Sequence, residues 1–322
     1  MASASVSGVA LPRKANLRAQ SPWAQLFVRL ARNLPALLGL IVVVLFFLTA
    51  IFAPMLAPYP YDKMNLDLIE KPPSATHWLG TDESGRDMLS RIIYGARSSA
   101  FVVLLVTFVN LLLGIPLGAI AGYFGGKIDN LIMRAADILF AFPGLLFTFL
   151  IAATLRPAVL TWARENGLGA LAQSGYLDYA VVIIALGLIG WAGLARFVRG
   201  QVLAFKEREF VISAQASGVP TLQVIARHIL PNALAPIIVS ISMGMGFIAL
   251  SEGYLSYLGI GLQPPNPSWG NIMADNAPRY WRQFPKMLWL VIAPGALFSL
   301  IVLAFSFLGD GLNEALNPEI DA

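Results

Sequence analysis

The chain contains no cysteine in 322 residues and only two histidines, His77 and His228. Disulfides, cysteine-ligated zinc and thiol catalysis are therefore excluded. Charge is scarce too: 12% of residues are Asp, Glu, Lys or Arg, against 57% hydrophobic. Soluble domains carry about 25% charged residues, so this is not a soluble domain. No Walker A pattern occurs; the nearest glycine cluster, Gly122–Lys127 (GYFGGK), lacks the spacing and the following Ser or Thr. There is no HExxH, and the two histidines fall on opposite sides of the membrane in the topology given below, which removes a Ser-His-Asp set. The chain has no visible engine of its own and is read as a non-enzyme. Outside the apolar runs no basic stripe interleaves with aromatics, which speaks against nucleic-acid binding despite a pI near 9.4. Met1–Arg13 lacks the apolar core of a signal peptide, so the first hydrophobic run is expected to stay as an anchor.

What is present is a series of apolar runs long enough to cross a bilayer, for which about 18 or more residues are needed. Six are read between the charged residues: Leu34–Ala53, Ser98–Ala121, Leu131–Leu155, Tyr179–Val198, Leu234–Leu255 and Met287–Leu308. They are continuously apolar and lack the alternation of a lipid-facing strand, so the fold class is an all-α polytopic membrane protein rather than a barrel. The expected organisation is a tail at 1–33, a first span at 34–53, and a loop with an interfacial helix at 54–97. A five-helix core at 98–308 follows, with a polar connection at 207–231, and a second tail at 309–322.

Lys and Arg near span ends set orientation. Arg13, Lys14, Arg18, Arg29 and Arg32 precede the first acid, Asp62; Arg196, Arg199, Lys206, Arg208 and Arg227 crowd the fourth connection. Both groups share one side of a six-span chain, which favours a cytoplasmic N-terminus. A basic face also suits anionic membrane lipid. Ser21–Asn33 reads as an amphipathic helix in the inner interface, with Trp23, Leu26, Phe27 and Leu30 opposite Arg29 and Arg32.

Several local patterns carry expectations. His77–Asp87 (HWLGTDESGRD) opens a helix that Asp82 or Ser84 would cap, with Arg86, Arg91 and Arg97 staying wet. Gly114, Gly118 and Gly122 recur every four residues, the spacing that lets two helix backbones approach closely in lipid. Pro116, Pro143 and Pro294 are expected to kink their spans. Arg134 and Asp137, one turn apart, are candidates to pair with each other. Glu252 falls near the end of the fifth span, where it could be hydrated. Leu258–Gly270 (LGIGLQPPNPSWG) is too rich in Gly and Pro for a regular helix and is either a re-entrant loop or a plain connector. Tyr280 and Trp281 beyond it suit a membrane interface.

The most informative stretch is Glu209–Pro236 (EFVISAQASGVPTLQVIARHILPNALAP), polar between two apolar runs. It reads as two short helices broken at Gly218 and closed by Leu230-Pro231. Glu207 and Glu209 suit a helix start, and Gly218 suits the left-handed residue that ends a helix. Pro220 fits the first turn of the next helix, whose apolar face would be Leu222, Ile225 and Ile229. Two readings stand at this point: a small-side-chain helix that enters a groove on another protein, or a plain loop.

This connection resembles the coupling loop, or EAA loop, of bacterial importer-type ABC permeases. Gly218, Leu230 and Pro231 stand at the family spacing and Ala214 at the second alanine, whereas Ile212 replaces the family Glu and Ser213 the first Ala. Further motifs resemble the C-type permease subunit of dipeptide, oligopeptide and nickel importers: Gly80–Arg97 (GTDESGRDMLSRIIYGAR), Gly122–Asp129 (GYFGGKID), Arg227–Pro236 (RHILPNALAP), Gly261–Gly270 (GLQPPNPSWG) and Gly309–Leu312 (GDGL).

The resemblance implies a MetI-like core in a bacterial inner membrane. It implies pairing with a second homologous permease, two ATPase subunits that bind ATP and Mg, and an external substrate-binding protein. The cargo implied is a peptide, with nickel or another small solute as the alternative. Glu209, Ile212, Ser213, Ala214, Gln215, Ala216, Ser217, Gly218, Val219, Pro220, Leu230 and Pro231 are the expected ATPase-coupling residues. Asp82, Arg86, Asp87, Arg91, Gln263 and Trp269 are candidates for an outer gate or binding-protein contact. An ion-driven secondary transporter is the rival class, with Glu252 its one intramembrane carboxylate.

Overall fold

A computed structural model describes residues 28–283 and 289–316. Most of the amphipathic stretch Ser21–Asn33, the basic residues before it, residues 317–322, and the side chains of Tyr280 and Trp281 lie outside the described residues. Among the described residues, six helices are long and apolar enough to cross a membrane. In chain order, the elements that build the site are α1 (Leu34–Ile51), α2 (Met88–Phe124), α3 (Gly126–Phe140), α4 (Gly144–Glu165), α5 (Tyr176–Lys206), α6 (Glu209–Ala216), α7 (Thr221–Tyr257), α8 (Trp269–Gln283) and α9 (Trp289–Leu316). The spans are α1, α2, α4, α5, α7 and α9.

Six crossings put both described termini at one end of the bundle. There the Arg29 guanidinium donates to the Ala315 carbonyl at 3.2 Å and Asn33 bonds Glu314. The segment 207–220 turns at this same end, called here the elbow end. Residues 57–87 and 258–268 lie at the other, the clip end.

The helices differ from the sequence expectation where the chain contains no break. Nothing between Met88 and Ser98 stops a helix, so the expected interfacial helix and second span form one 37-residue rod. At about 1.5 Å per residue it is longer than the roughly 30 Å hydrocarbon core and projects beyond it. Likewise α9 continues to Leu316, absorbing the first residues of the supposed tail. The third span is displaced. Lys127, Asn130, Arg134 and Asp137 recur at helical spacing and make Gly126–Phe140 a polar-faced helix separate from the span. Pro143 does not kink a span there; it sits extended (ψ 117°) as the cap of α4, and the crossing runs over Gly144–Glu165. Pro116 and Pro294, by contrast, lie inside continuous helices.

The most extensive pairing is that of α2 with α5. A Cβ on Gly114 would come within 2.8 Å of the Leu194 Cβ, one on Gly122 within 2.8 Å of the Arg199 carbonyl oxygen, and one on Gly118 would overlap the Ala195 carbonyl oxygen. At Gly118 and Gly122 bare backbone on one helix therefore meets backbone on the other, and such close packing replaces the hydrophobic drive that lipid cannot supply. A main core of Val102, Val103, Val106, Val181, Val182, Ala185, Ile248 and Phe305 fills the middle. A second core of Ala119, Val198, Val202, Val211, Val224, Ile225 and Ile229 lies at the elbow end. Outward residues such as Leu104, Phe108, Leu146 and Ile184 are exposed, as lipid-facing surfaces are. Least covered is α4, whose apolar window is only 11% buried within the chain.

Gly118→Val should cost about 1–3 kcal/mol by overpacking, read as a lower thermal midpoint in detergent. Gly144→Ala, where nothing lies within 4 Å of the new Cβ, should leave the midpoint unchanged.

Candidate functional site: a rigid elbow on the fifth span

The elbow begins where α5 ends at Lys206. Its ammonium donates to the Tyr123 carbonyl at 2.7 Å and lies over the Tyr123 ring. After a short turn, α6 runs from Glu209 to Ala216, with the Glu209 carboxylate in its first turn beside the free N–H groups. Its end is closed by two backbone bonds. The Gly218 N–H donates to the Gln215 carbonyl (2.9 Å) and the Val219 N–H to the Ala214 carbonyl (3.2 Å). This is the Schellman pattern, and it requires the left-handed residue that Gly218 supplies at φ +77°. Pro220 then stands extended (ψ 141°) as the cap of α7 rather than inside its first turn.

The second half of the elbow is not a separate short helix. From Thr221 the chain runs unbroken into the fifth span. Leu230-Pro231 does not close it, because Val224–Ile229 forms a π turn in which the Leu230 N–H reaches back five residues to the Ile225 carbonyl. Widening the helix there accommodates a proline that has no N–H to donate and whose ring crowds the turn before it. From Thr221 on, the polar segment and the membrane helix are consequently one rod.

That rod and α6 are anchored on one face only. Val211, Val224, Ile225 and Ile229 are buried against Ala119, Val198 and Val202 of α2 and α5. Gln215 donates to the Tyr123 hydroxyl at 3.1 Å. The opposite face is open: Ile212, Ser213, Gln215, Ala216, Ser217, Gly218 and Pro220 are exposed. Phe210, Ile212 and Leu222 present apolar side chains at 41%, 52% and 73% exposure. Leu222 therefore does not belong to the buried face, as its spacing suggested; Val224 takes that place, because the π turn rotates the register. Ala214 is at the edge of the anchored face and Val219 is half-buried. Beside the elbow, Arg199 grips Asp129 of α3 through two bonds of 2.5 and 2.6 Å. Asp137 pairs with Arg196 at 2.7 Å and not with Arg134, because α3 lies alongside α5.

The clip end is held by buried ions. Asp82 accepts from Arg86 Nε at 2.7 Å and from Arg91 at 2.5 Å, and Arg91 also reaches Asp275 of α8 at 3.2 Å. Arg86 and Arg91 are thus buried, not wet; only Arg97 of the three is exposed. Asp87, rather than Asp82 or Ser84, caps α2 by accepting from the Ser90 N–H at 2.8 Å, and its other oxygen meets His77 Nδ1 at 2.8 Å. His228 stands at the elbow end, far from His77. Residues 258–268 form an ordered plug rather than a slack connector. Asn271 donates to the Leu262 and Asn266 carbonyls, and the buried Trp269 indole to the Ile92 carbonyl at 2.9 Å. Of the six candidate gate or contact residues, Asp82, Arg86, Asp87, Arg91 and Trp269 are buried as scaffold, and only Gln263 is partly exposed.

Glu252 is fully buried, not hydrated. It accepts from Ser99 of α2 at 2.8 Å and from Ser256 one turn along α7 at 2.8 Å, and Ser256 in turn accepts from the Leu262 N–H. The carboxylate ties α2, α7 and the plug together. Its depth is a tertiary fact, since α7 runs past it into a plug that covers it. Glu252→Leu strands both hydroxyls and should cost about 1–3 kcal/mol per unpaired group, lowering the thermal midpoint in detergent. Glu252→Gln, which keeps an acceptor, should stay close to the unchanged protein; equal losses would show that the tether is not what Glu252 provides.

Comparison with known proteins agrees with this geometry. Residues 114–322 match the family described as binding-protein-dependent transport system inner membrane component, and residues 21–73 the N-terminal transmembrane domain of oligopeptide transport permease C. The chain is 40% identical over 310 residues to the dipeptide transport system permease protein DppC of Alkalihalophilus pseudofirmus, covering 96% of this chain and 94% of that one. It is 36% identical to the oligopeptide transport system permease protein OppC of Bacillus subtilis, over 95% and 93% of the two chains. To the glutathione transport system permease protein GsiD of Shigella dysenteriae it is also 36% identical, over 94% and 92%. With its six spans and its open-faced elbow, the chain belongs to the binding-protein-dependent inner-membrane component family and is a permease subunit of the ABC importer class.

Proposed function

We propose that this chain forms half of the translocation pathway of an ATP-driven importer of di- or oligopeptides and couples that pathway to separate ATPase subunits. The observation that carries the coupling role is the elbow. A short helix, capped by Gly218 and exposed through Phe210 and Ile212, leads through a tight turn into a rod that bears the exposed Leu222 and continues as a membrane span. Apolar side chains of this size on a cytosolic surface call for a protein partner. Because α6 is tied to the rod Thr221–Tyr257 by the bonded turn at Gly218 and by the shared packing of Val211 with Val224 and Ile225, a push on α6 is delivered into the bilayer rather than dissipated in a loop. Closing of the ATPases around ATP moves the elbow and turns the cavity outward; hydrolysis and release reset it.

In this reading the membrane is a bacterial inner membrane with the N-terminus and the elbow in the cytoplasm. Arg29, Arg32, Arg196, Arg199, Lys206, Arg208 and Arg227 all gather at the elbow end, where anionic lipid and the positive-inside rule favour them. A second, homologous permease completes the pathway, two ATPase subunits bind ATP and Mg, and an external substrate-binding protein delivers cargo. This chain needs no cofactor itself. The substrates named for its relatives, dipeptides, oligopeptides and glutathione, share a peptide framework, which is the support for peptide cargo. Ile212 stands where an acid is expected and is half exposed, so contact with the ATPase at that position is apolar rather than ionic.

Gly218→Val meets open space but forces a branched residue into a left-handed conformation, at about 1–2 kcal/mol. The variant should insert and assemble, yet lose at least tenfold in peptide uptake and in substrate-stimulated ATPase activity of the complete transporter. Unchanged uptake would remove the coupling role. The absence of cysteine allows a direct test of orientation: Ala216→Cys should react with an impermeant maleimide only from the cytoplasmic side of membrane vesicles. Labelling from the outer side would end the proposal, since no cytoplasmic motor could then reach the elbow.

A further inference from the structure

At the clip end, between the first turns of α5 and the adjoining part of α2, lies a half-open cavity of about 650 Å³. This is within the size range of small-ligand sites, roughly 300–1,000 Å³. Its walls are aromatic and already ordered. Tyr61 packs on Tyr94 with ring centroids 4.6 Å apart, Tyr179 meets Phe101 edge-on at 5.5 Å, and the Tyr179 hydroxyl is bonded to Ser98 at 2.7 Å. One charged side chain lines it, Arg97. Three further guanidiniums at this end, those of Arg86, Arg91 and Arg156, are committed to Asp82, Asp275 and Asp178. Arg97 has no hydrogen-bond or ion-pair partner among the described residues and is exposed. Burial first, and then the adjacent Asp62 carboxylate, push the Tyr61 phenol above its ordinary value, so it remains a neutral donor at physiological pH.

We infer that this cavity receives the free C-terminal carboxylate of a peptide entering the pathway, with Arg97 as its ion-pair partner and the tyrosine rings against the terminal side chain. The assignment rests on the peptide-importer reading above. A guanidinium offers paired donors that match a carboxylate. Tyrosine faces contact side chains of many shapes while their hydroxyls bond main-chain groups. A site of that kind reads the feature that every linear peptide shares and leaves the sequence unread. The anion could instead come from a lipid phosphate or from an acidic side chain of the second permease, and the test separates these sources.

The complete transporter with its binding protein, in proteoliposomes, is supplied with one peptide as the free acid and as the C-terminal amide. Arg97→Gln should lower import of the free acid about tenfold while changing import of the amide less than twofold. Arg97→Lys, which keeps the charge, should retain most import of the free acid. The binding protein is the same throughout, so its own preference cancels in each variant-to-wild-type ratio. Equal loss with acid and amide would assign Arg97 to lipid or to the second permease and overturn the inference. No loss with either peptide, or equal loss in the Lys and Gln variants, would overturn it as well. Failure of the wild-type transporter to import any peptide would instead refute the cargo reading on which the inference rests.

Discussion

Every backbone polar group inside a bilayer must find its partner within the protein, because no water is present to take it. That constraint confines this chain to long helices across the bilayer. Pro116 and Pro294 stay inside continuous helices, and two prolines near span ends are handled differently. Pro143 is placed outside the helix as a cap, and Pro231 is absorbed by a π turn that lets Leu230 reach Ile225. The second solution matters more. It keeps residues 221–229 and the fifth span in one rod, whereas a clean break at Pro231 would have placed a hinge between them.

Close approach does the work that the hydrophobic effect does in water. The Gly114, Gly118 and Gly122 stripe brings α2 onto α5, and the elbow then packs on the surface that these two helices share, through Val211, Val224, Ile225 and Ile229. Loosening the stripe would therefore be felt at the elbow, although the two are distinct in sequence. At the clip end the same rigidity comes from buried charge. Asp82 holds two guanidiniums and Glu252 two serine hydroxyls. Buried ions are weak evidence for stability, but removing one partner leaves a costly orphan, so such networks hold a single arrangement. Both ends are held by bonded networks, while the outer face of α6 and the tyrosine-lined cavity near Arg97 stay open.

The sequence by itself determined the membrane class and the six crossings, since length and continuous apolarity are one-dimensional properties. It also determined the glycine stripe and the Schellman turn at Gly218, because both follow from spacing along one helix and from the unique backbone freedom of glycine. It did not show where α2, α7 and α9 begin or end beyond the hydrocarbon region, as polar residues continue a helix as readily as they leave it. Pairings were decided by tertiary structure alone. Asp137 chose Arg196 over the nearer Arg134, Asp87 capped the helix instead of Asp82, and Arg86 and Arg91 went inside. Glu252 became a buried tether and Leu222 turned outward. The pairing of Asp137 and the burial of Arg86, Arg91 and Glu252 depend on which helix lies alongside, and proximity between segments distant in the chain is a property that no local pattern encodes.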